Sequence, residues 1–212
     1  MKYSILLIWL VLFTLLAGSC TAESSPDDLT AAYEGSELEG PAVDFSLVDQ
    51  AGLPVRLSDF RDKLVVLTFM DSQCQEVCPL TSAHLRTTSQ ALGPDNSQVI
   101  FIGINVNLAA NSIQDVAAAT QKWQLDEIPN WHFLTGSAEE LEPIWKSYDV
   151  AVVPASQEEE ELLHTPGVYL IDQNGEKRWY ISTPFDEAGS APWTPPLSDL
   201  LVEHIQELLG ER

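Results

Sequence analysis

Basic residues are scarce in this chain: Lys and Arg number 10 against 32 Asp and Glu, leaving a formal net charge of -22 over 212 residues. A phosphate backbone is held by a cationic surface, so this balance excludes nucleic acid and favours partners or ions of positive charge. Cysteine is nearly as sparse. Three of them do not make a disulfide-stapled scaffold, so the fold must rest on a hydrophobic core of its own. Long apolar runs are also missing. The longest, Ile5 to Leu16, is about a dozen residues where a bilayer span needs roughly 20. No internal repeat is present.

That short run has a use. Lys2 precedes it and Ala17, Gly18 and Ser19 follow it, the pattern of an export signal. Ala17-Gly18-Ser19-Cys20 resembles a bacterial lipoprotein box, in which the signal is cut ahead of a cysteine that then carries lipid. Alanine stands in the box's first place where leucine is usual, so an uncleaved signal anchor is the alternative. The expected organisation is a lipoprotein-type signal over residues 1–19, an acidic tether from Cys20 to Gly40 and one domain over 41–212. That places the domain on the extracytoplasmic face of a membrane. With Cys20 as lipid anchor, Cys74 and Cys78 remain as one working pair.

Within the domain the signals alternate. "FSLVDQAGLPVRLSDF" predicts a hairpin around Ala51-Gly52, and "KLVVLTFM" and "QVIFIGINV" are continuous apolar runs typical of buried central strands. A helix is expected from the cysteines to Gly93-Pro94, and another over "NSIQDVAAATQKWQ" capped by Asn111 or Ser112. "WHFLTG" predicts a strand. "SAEELEPIWKSY" predicts a helix with a capping box of Ser137 and Glu140, "GVYLID" a strand, and Asn174-Gly175 a tight turn into "KRWYIS". The final "LSDLLVEHIQELL" predicts an amphipathic helix. Strands alternating with helices imply an α/β fold: a mostly parallel sheet covered on both faces and ending in an antiparallel hairpin, a thioredoxin-like layout. The cysteines then fall at the carboxyl end of the first central strand, where sheets of this class bind ligands.

"DSQCQEVCPL" places Cys74 and Cys78 four residues apart. On one helix face their Cβ atoms would lie roughly 5–6 Å apart, within reach of a shared ion. A disulfide wants about 3.5–4.5 Å, a modest adjustment. A helix N-terminus stabilises thiolate and so serves metal binding and redox attack equally. Four histidines compete as third ligand. His204 reads as solvated or cap-related, His84 points away from Cys78 by some 120° of helix rotation, and His132 reads as packed. His164 stands in the loop before "GVYLID", and such loops in this layout approach the cysteines.

These stretches, together with "HFLTGSAEELEPIWKSYDV" and "HTPGVYLIDQNGEKRWYIS", resemble the Sco/SenC/PrrC proteins, membrane-tethered thioredoxin-like copper chaperones for cytochrome c oxidase. The resemblance runs from about Pro41 to the end, and its CxxxCP motif is more specific than a bare CxxC. It implies Cys74, Cys78 and His164 as ligands of one copper ion, and the copper-bearing oxidase subunit as partner. Glu158 to Glu161 are similar to an acidic loop of some members, but read better as a solvated run. Two features depart from the pattern. Asn105 and Asn107 stand in a turn where carboxylates are common, and Pro166 occupies the place where thiol-disulfide oxidoreductases carry a cis proline. Soft thiolates select Cu(I) and an added imidazole suits Cu(II); zinc would accept the same set, with nothing else in the chain suggesting a hydrolase.

Two functions remain open from the sequence. One is a chaperone delivering copper to the oxidase's binuclear centre. The other is a tethered thiol-disulfide oxidoreductase keeping the oxidase subunit's cysteines reduced, with Cys74 attacking and Cys78 resolving. A peroxidase of the same fold lacks an identifiable peroxide-activating arrangement.

Overall fold

The chain forms an edge strand β1 (Ser36–Glu37), then a hairpin of β2 (Ser46–Val48) and β3 (Pro54–Arg56). The central strand β4 (Leu64–Met70) leads into helix α1 (Val77–Ala91). After it come β5 (Val99–Asn105), α2 (Ile113–Lys122), β6 (Trp131–Leu134) and α3 (Ala138–Ser147). Two short strands, β7 (Val152–Pro154) and β8 (Leu162–His164), precede β9 (Val168–Ile171), β10 (Lys177–Ile181) and the closing helix α4 (Leu197–Gly210). The structure is a computed structural model describing residues 35–154, 162–182 and 195–211. The signal, Cys20, the tether as far as Glu34, and Glu158–Glu161 lie outside the described residues.

Every residue of β4 and β5 is buried, which is why both read as unbroken apolar runs. Alternation then splits each strand between two cores. Leu64, Val66 and Met70 join Phe101, Leu85, Leu201 and Ile205 under α1 and α4. Val65, Leu67 and Phe69 join Ile102, Ile104, Leu141 and Trp145 under α3. The expected capping box of Ser137 with Glu140 forms, and of the two candidate caps for α2 it is Ser112 that serves, in a box with Asp115. In the first hairpin, Asp49 Oδ1 accepts from the amides of Ala51 and Leu53 at 2.9 Å each, and Gly52 takes the φ of +77° that the turn requires.

The sheet order is β1-β10-β9-β4-β5-β6. Strands β4, β5 and β6 are mutually parallel, joined by helical crossovers as expected. Strand β9 is antiparallel to β4, with Thr68 opposite Val168 and Val65 opposite Ile171. The sequence suggested only a terminal antiparallel hairpin. The reversal follows from the connection: after α3 the chain passes through the β7–β8 pair instead of a further crossover helix, so it re-enters the sheet from the opposite end.

The edge strand corrects the expected domain boundary. The sheet starts at Ser36, inside the stretch taken for tether, because β1 is bound by its backbone. Leu38 N donates to Arg178 O at 2.8 Å and Lys177 N to Gly40 O at 2.9 Å. Its two side chains are exposed and leave no apolar signature to read.

Candidate metal centre

Helix α1 begins at Val77, so the cysteines do not share a helix face as the four-residue spacing suggested. Cys78 lies in the first turn, 2 % exposed, while Cys74 sits in the turn ahead of it, half-buried. Glu76, at the N-cap, makes no side-chain cap bond. The cap is the Cys74 sulfur, which accepts from Cys78 N at 3.3 Å with the amides of Glu76 and Val77 also directed at it. The first turn of a helix leaves its amides without internal partners, and an anionic sulfur meets them and the positive end of the helix dipole together. Pro79 completes that turn without an amide that would need one.

The two sulfurs are therefore unequal. The Cys78 thiol donates to Cys74 and, with the three amides, lowers the Cys74 pKa to about 6 against the opposing effect of burial. The Cys78 thiol is pushed well up, first by that same hydrogen bond, then by burial and by the negative charges of Cys74 and Asp71. At neutral pH Cys74 is a thiolate and Cys78 a thiol. Iodoacetamide should accordingly alkylate Cys74 of the reduced protein with a pH midpoint near 6, with Cys78 unreactive. A midpoint near the ordinary thiol value of 9.0 would show that the amides do not hold the sulfur.

His164 reaches the same end of the sheet because β9 is antiparallel. The segment His164–Gly167 precedes the first residue of β9, which faces Thr68 near the carboxyl end of β4, and Thr68 Oγ1 donates to Gly167 O at 3.0 Å. A parallel β9 would have begun at the far end. His164 is not in a free loop but closes β8, opposite Val152. Its Nδ1 lies 3.1 Å from Thr165 O. A carbonyl only accepts, so Nδ1 carries the proton and Nε2 keeps its lone pair, the arrangement usual for a ligating imidazole. Burial lowers its pKa, opposed by the Thr165 carbonyl and the charge of Asp71, so the ring is neutral at pH 7. Among the described residues no three Cys, His, Asp or Glu side chains stand as a ready-made metal cage. The link between His164 and the cysteine pair is electrostatic: Asp71 acts on Cys78 and on His164 alike.

The other histidines are accounted for. His132 is packed as expected, with Nδ1 3.1 Å from Asp49 Oδ2 and its ring 5.5 Å from Phe60. His84 is half-buried and feels the charge of Asp199 of α4. His204 corrects the expectation of a solvated residue. It is 8 % exposed, stacked on Trp179 at 3.9 Å and 3.6 Å from Glu207, because β10 turns Trp179 onto that face of α4. Pro166 stands where thiol-disulfide oxidoreductases carry a cis proline, and among the described residues no peptide bond is cis.

Sequence reasoning missed the polar lattice beneath the cysteines. Asp71, Asn105 and Asn107 are all buried. Asn107 Nδ2 donates to Asp71 Oδ1 at 2.8 Å, and the same oxygen accepts from Gln73 N at 2.8 Å. Asn105 accepts from the amides of Ser72 and Asn107 and donates to the carbonyls of Asn107 and Ala110. The asparagines noted as departures from a carboxylate pattern thus tie the turn after β5 to the turn that carries Cys74. The available signal was position, since Asp71 and Asn105 both stand at the carboxyl ends of buried strands. Replacing Asn105 with alanine strands two buried amides, those of Ser72 and Asn107, while Asn107 O and Ala110 O keep Ala110 N and Ser72 Oγ; it should cost roughly 3 kcal/mol, read as a fall in the urea midpoint at unchanged slope. Beside the lattice runs a groove of about 910 Å³, bordered by Gln73, Asn107, Trp145, Val152 and Leu162.

Comparison with known proteins places this arrangement. A crystal structure of a SCO1/SenC family lipoprotein from Bacillus anthracis superposes with a TM-score of 0.67 at 26% identity, over 82% of this chain and 98% of that one. Copper-bound ScoI of Arabidopsis thaliana gives 0.66 at 20% identity, over 82% and 100%. BsSco, a member of the Sco family of cytochrome c oxidase assembly proteins in which a disulfide switch was identified, gives 0.61 at 22% identity, over 84% and 98%. The fold is thioredoxin-like. The family model described as SCO1/SenC matches residues 34–189, and the chain belongs to the SCO1/SenC family.

Proposed function

We propose that this protein is a membrane-tethered extracytoplasmic copper chaperone, held by lipid on Cys20, that delivers copper to the binuclear copper centre of cytochrome c oxidase. Copper is its cargo, taken by Cys74 and Cys78 with the Nε2 of His164 drawn in as third ligand. The observation that carries the reading is the unequal sulfur pair backed by amides, with a neutral imidazole at the same end of the sheet. Thiolates suit Cu(I), imidazole extends the set to Cu(II), and three ligands leave a position open for a recipient's sulfur or nitrogen. Copper bound by one protein of this fold and the membership of another in a family of cytochrome c oxidase assembly proteins agree with it.

One observation favours a second reading, reduction of the oxidase subunit's disulfide. Cys74 is a half-buried thiolate beside a buried protonated partner, the division expected of attacking and resolving thiols. Anaerobic copper titration of the reduced protein and of its His164→Ala variant separates the two. The chaperone reading expects stoichiometric binding that the variant loses sharply on desalting, with disulfide reduction little changed. Absence of copper binding by the wild-type protein would leave the reductase reading.

A further inference from the structure

The register of the edge strand fixes the end of the sheet at which the chain enters. Ser36 lies opposite Tyr180, and Pro41 pairs with Glu176, so β1 runs antiparallel to β10. Strand β10 in turn carries Ile181 opposite Val168, and Val168 lies opposite Thr68. The chain therefore enters the sheet at Gly35 on the end where β4 delivers Cys74 and β8 delivers His164. The entry is tied to that end by contact as well as register. Gly35 lies against Ile181 and Tyr180 O, and the Tyr180 hydroxyl donates to Pro166 O, two residues beyond His164. Across the sheet, β1 stands three strand spacings from β4, roughly 14 Å. Upstream, the chain from Cys20 to Gly35 spans at most about 50 Å even if fully extended.

We propose that the carboxyl end of the parallel strands, bearing Cys74, Cys78 and His164, faces the bilayer, so that transfer takes place within about 50 Å of the lipid surface. This rests on the proposed anchoring through Cys20. A recipient diffusing far above the membrane would meet the opposite end of the sheet, where the β9–β10 turn at Asn174-Gly175 and the 93–98 segment lie.

The test uses the full lipidated chain in vesicles containing acceptor-labelled lipids. In a Cys74→Ser, Cys78→Ser background one donor dye is attached through Ala109→Cys, in the exposed turn after β5, or through Asp95→Cys, in the exposed turn before it. The length of β5 separates these turns by roughly 20 Å. Energy transfer to the lipids should be at least about twofold greater from position 109 than from position 95. Equal transfer, or more from position 95, with protein that floats with the vesicles overturns the orientation alone. Failure to float, with no lipid mass on the Cys20 peptide, overturns the anchor and the orientation with it. The copper reading is unaffected by either result, since it is measured on the protein free of membrane.

Discussion

Cys78→Ser is expected to abolish stoichiometric copper retention by the reduced protein while leaving it folded. Serine occupies nearly the same volume, and the bond from Ser82 Oγ to Cys78 O at 2.7 Å involves only the backbone carbonyl. The fold therefore loses little, about 1–2 kcal/mol for a buried hydroxyl. The site loses far more. A hydroxyl is a hard, undissociated oxygen at pH 7 and no ligand for Cu(I). Loading the wild-type protein near neutral pH must expel the proton that Cys78 retains, so copper uptake should weaken as pH falls and the ligands compete with protons. Metal quantification after desalting, beside circular dichroism, checks both halves. A folded Cys78→Ser protein that keeps its copper would remove the sulfur pair from the site.

Gly167→Ala is expected to give the largest loss of stability of any single methyl added near the site. Gly167 holds a φ of +144°, and a Cβ there would run into the ring of Tyr180. The cost combines backbone strain with overpacking, about 2–4 kcal/mol, or a fall of roughly 5–15 °C in Tm. Relief requires Tyr180 to move, and Tyr180 holds Pro166. The substitution should therefore also weaken copper binding through His164 without touching a ligand. Thermal unfolding and copper competition on the same variant measure the two effects. A variant as stable as the wild type would show that the segment is not held where it lies.

Much of this was legible in the amino acids. The buried runs Leu64–Met70 and Val99–Asn105 announced the central strands, and Ser112, Ser137, Gly93 and Asn174-Gly175 marked caps and turns because those residues act within a few positions of themselves. What stayed hidden depends on partners distant in the chain. Ser36–Glu37 is a strand only because β10 lies beside it. The direction of β9 depends on a two-strand detour whose short strands carry little alternation. His204 stands at helical spacing from Leu200, Leu201 and Leu208, so the periodicity of α4 did put it on the apolar face; only its stacking partner Trp179, distant in the chain, was hidden. At the site, the residue types Cys74, Cys78 and His164 could be named, but the inequality of the sulfurs could not. It arises because α1 starts at Val77, three residues later than the spacing of the pair suggested.

That late start would give the Cys74 sulfur two duties under the proposed function, since it closes the open end of α1 as well as offering a lone pair to an incoming ion. Electron density drawn toward an incoming ion, or shared in a bond to another sulfur, is withdrawn from the amides of Glu76, Val77 and Cys78. The firmness of the first turn of α1 thus becomes a gauge of whether the protein is loaded, oxidised or empty. In the proposed chaperone role, a recipient touching that turn would sense the state of the protein before any metal changed hands.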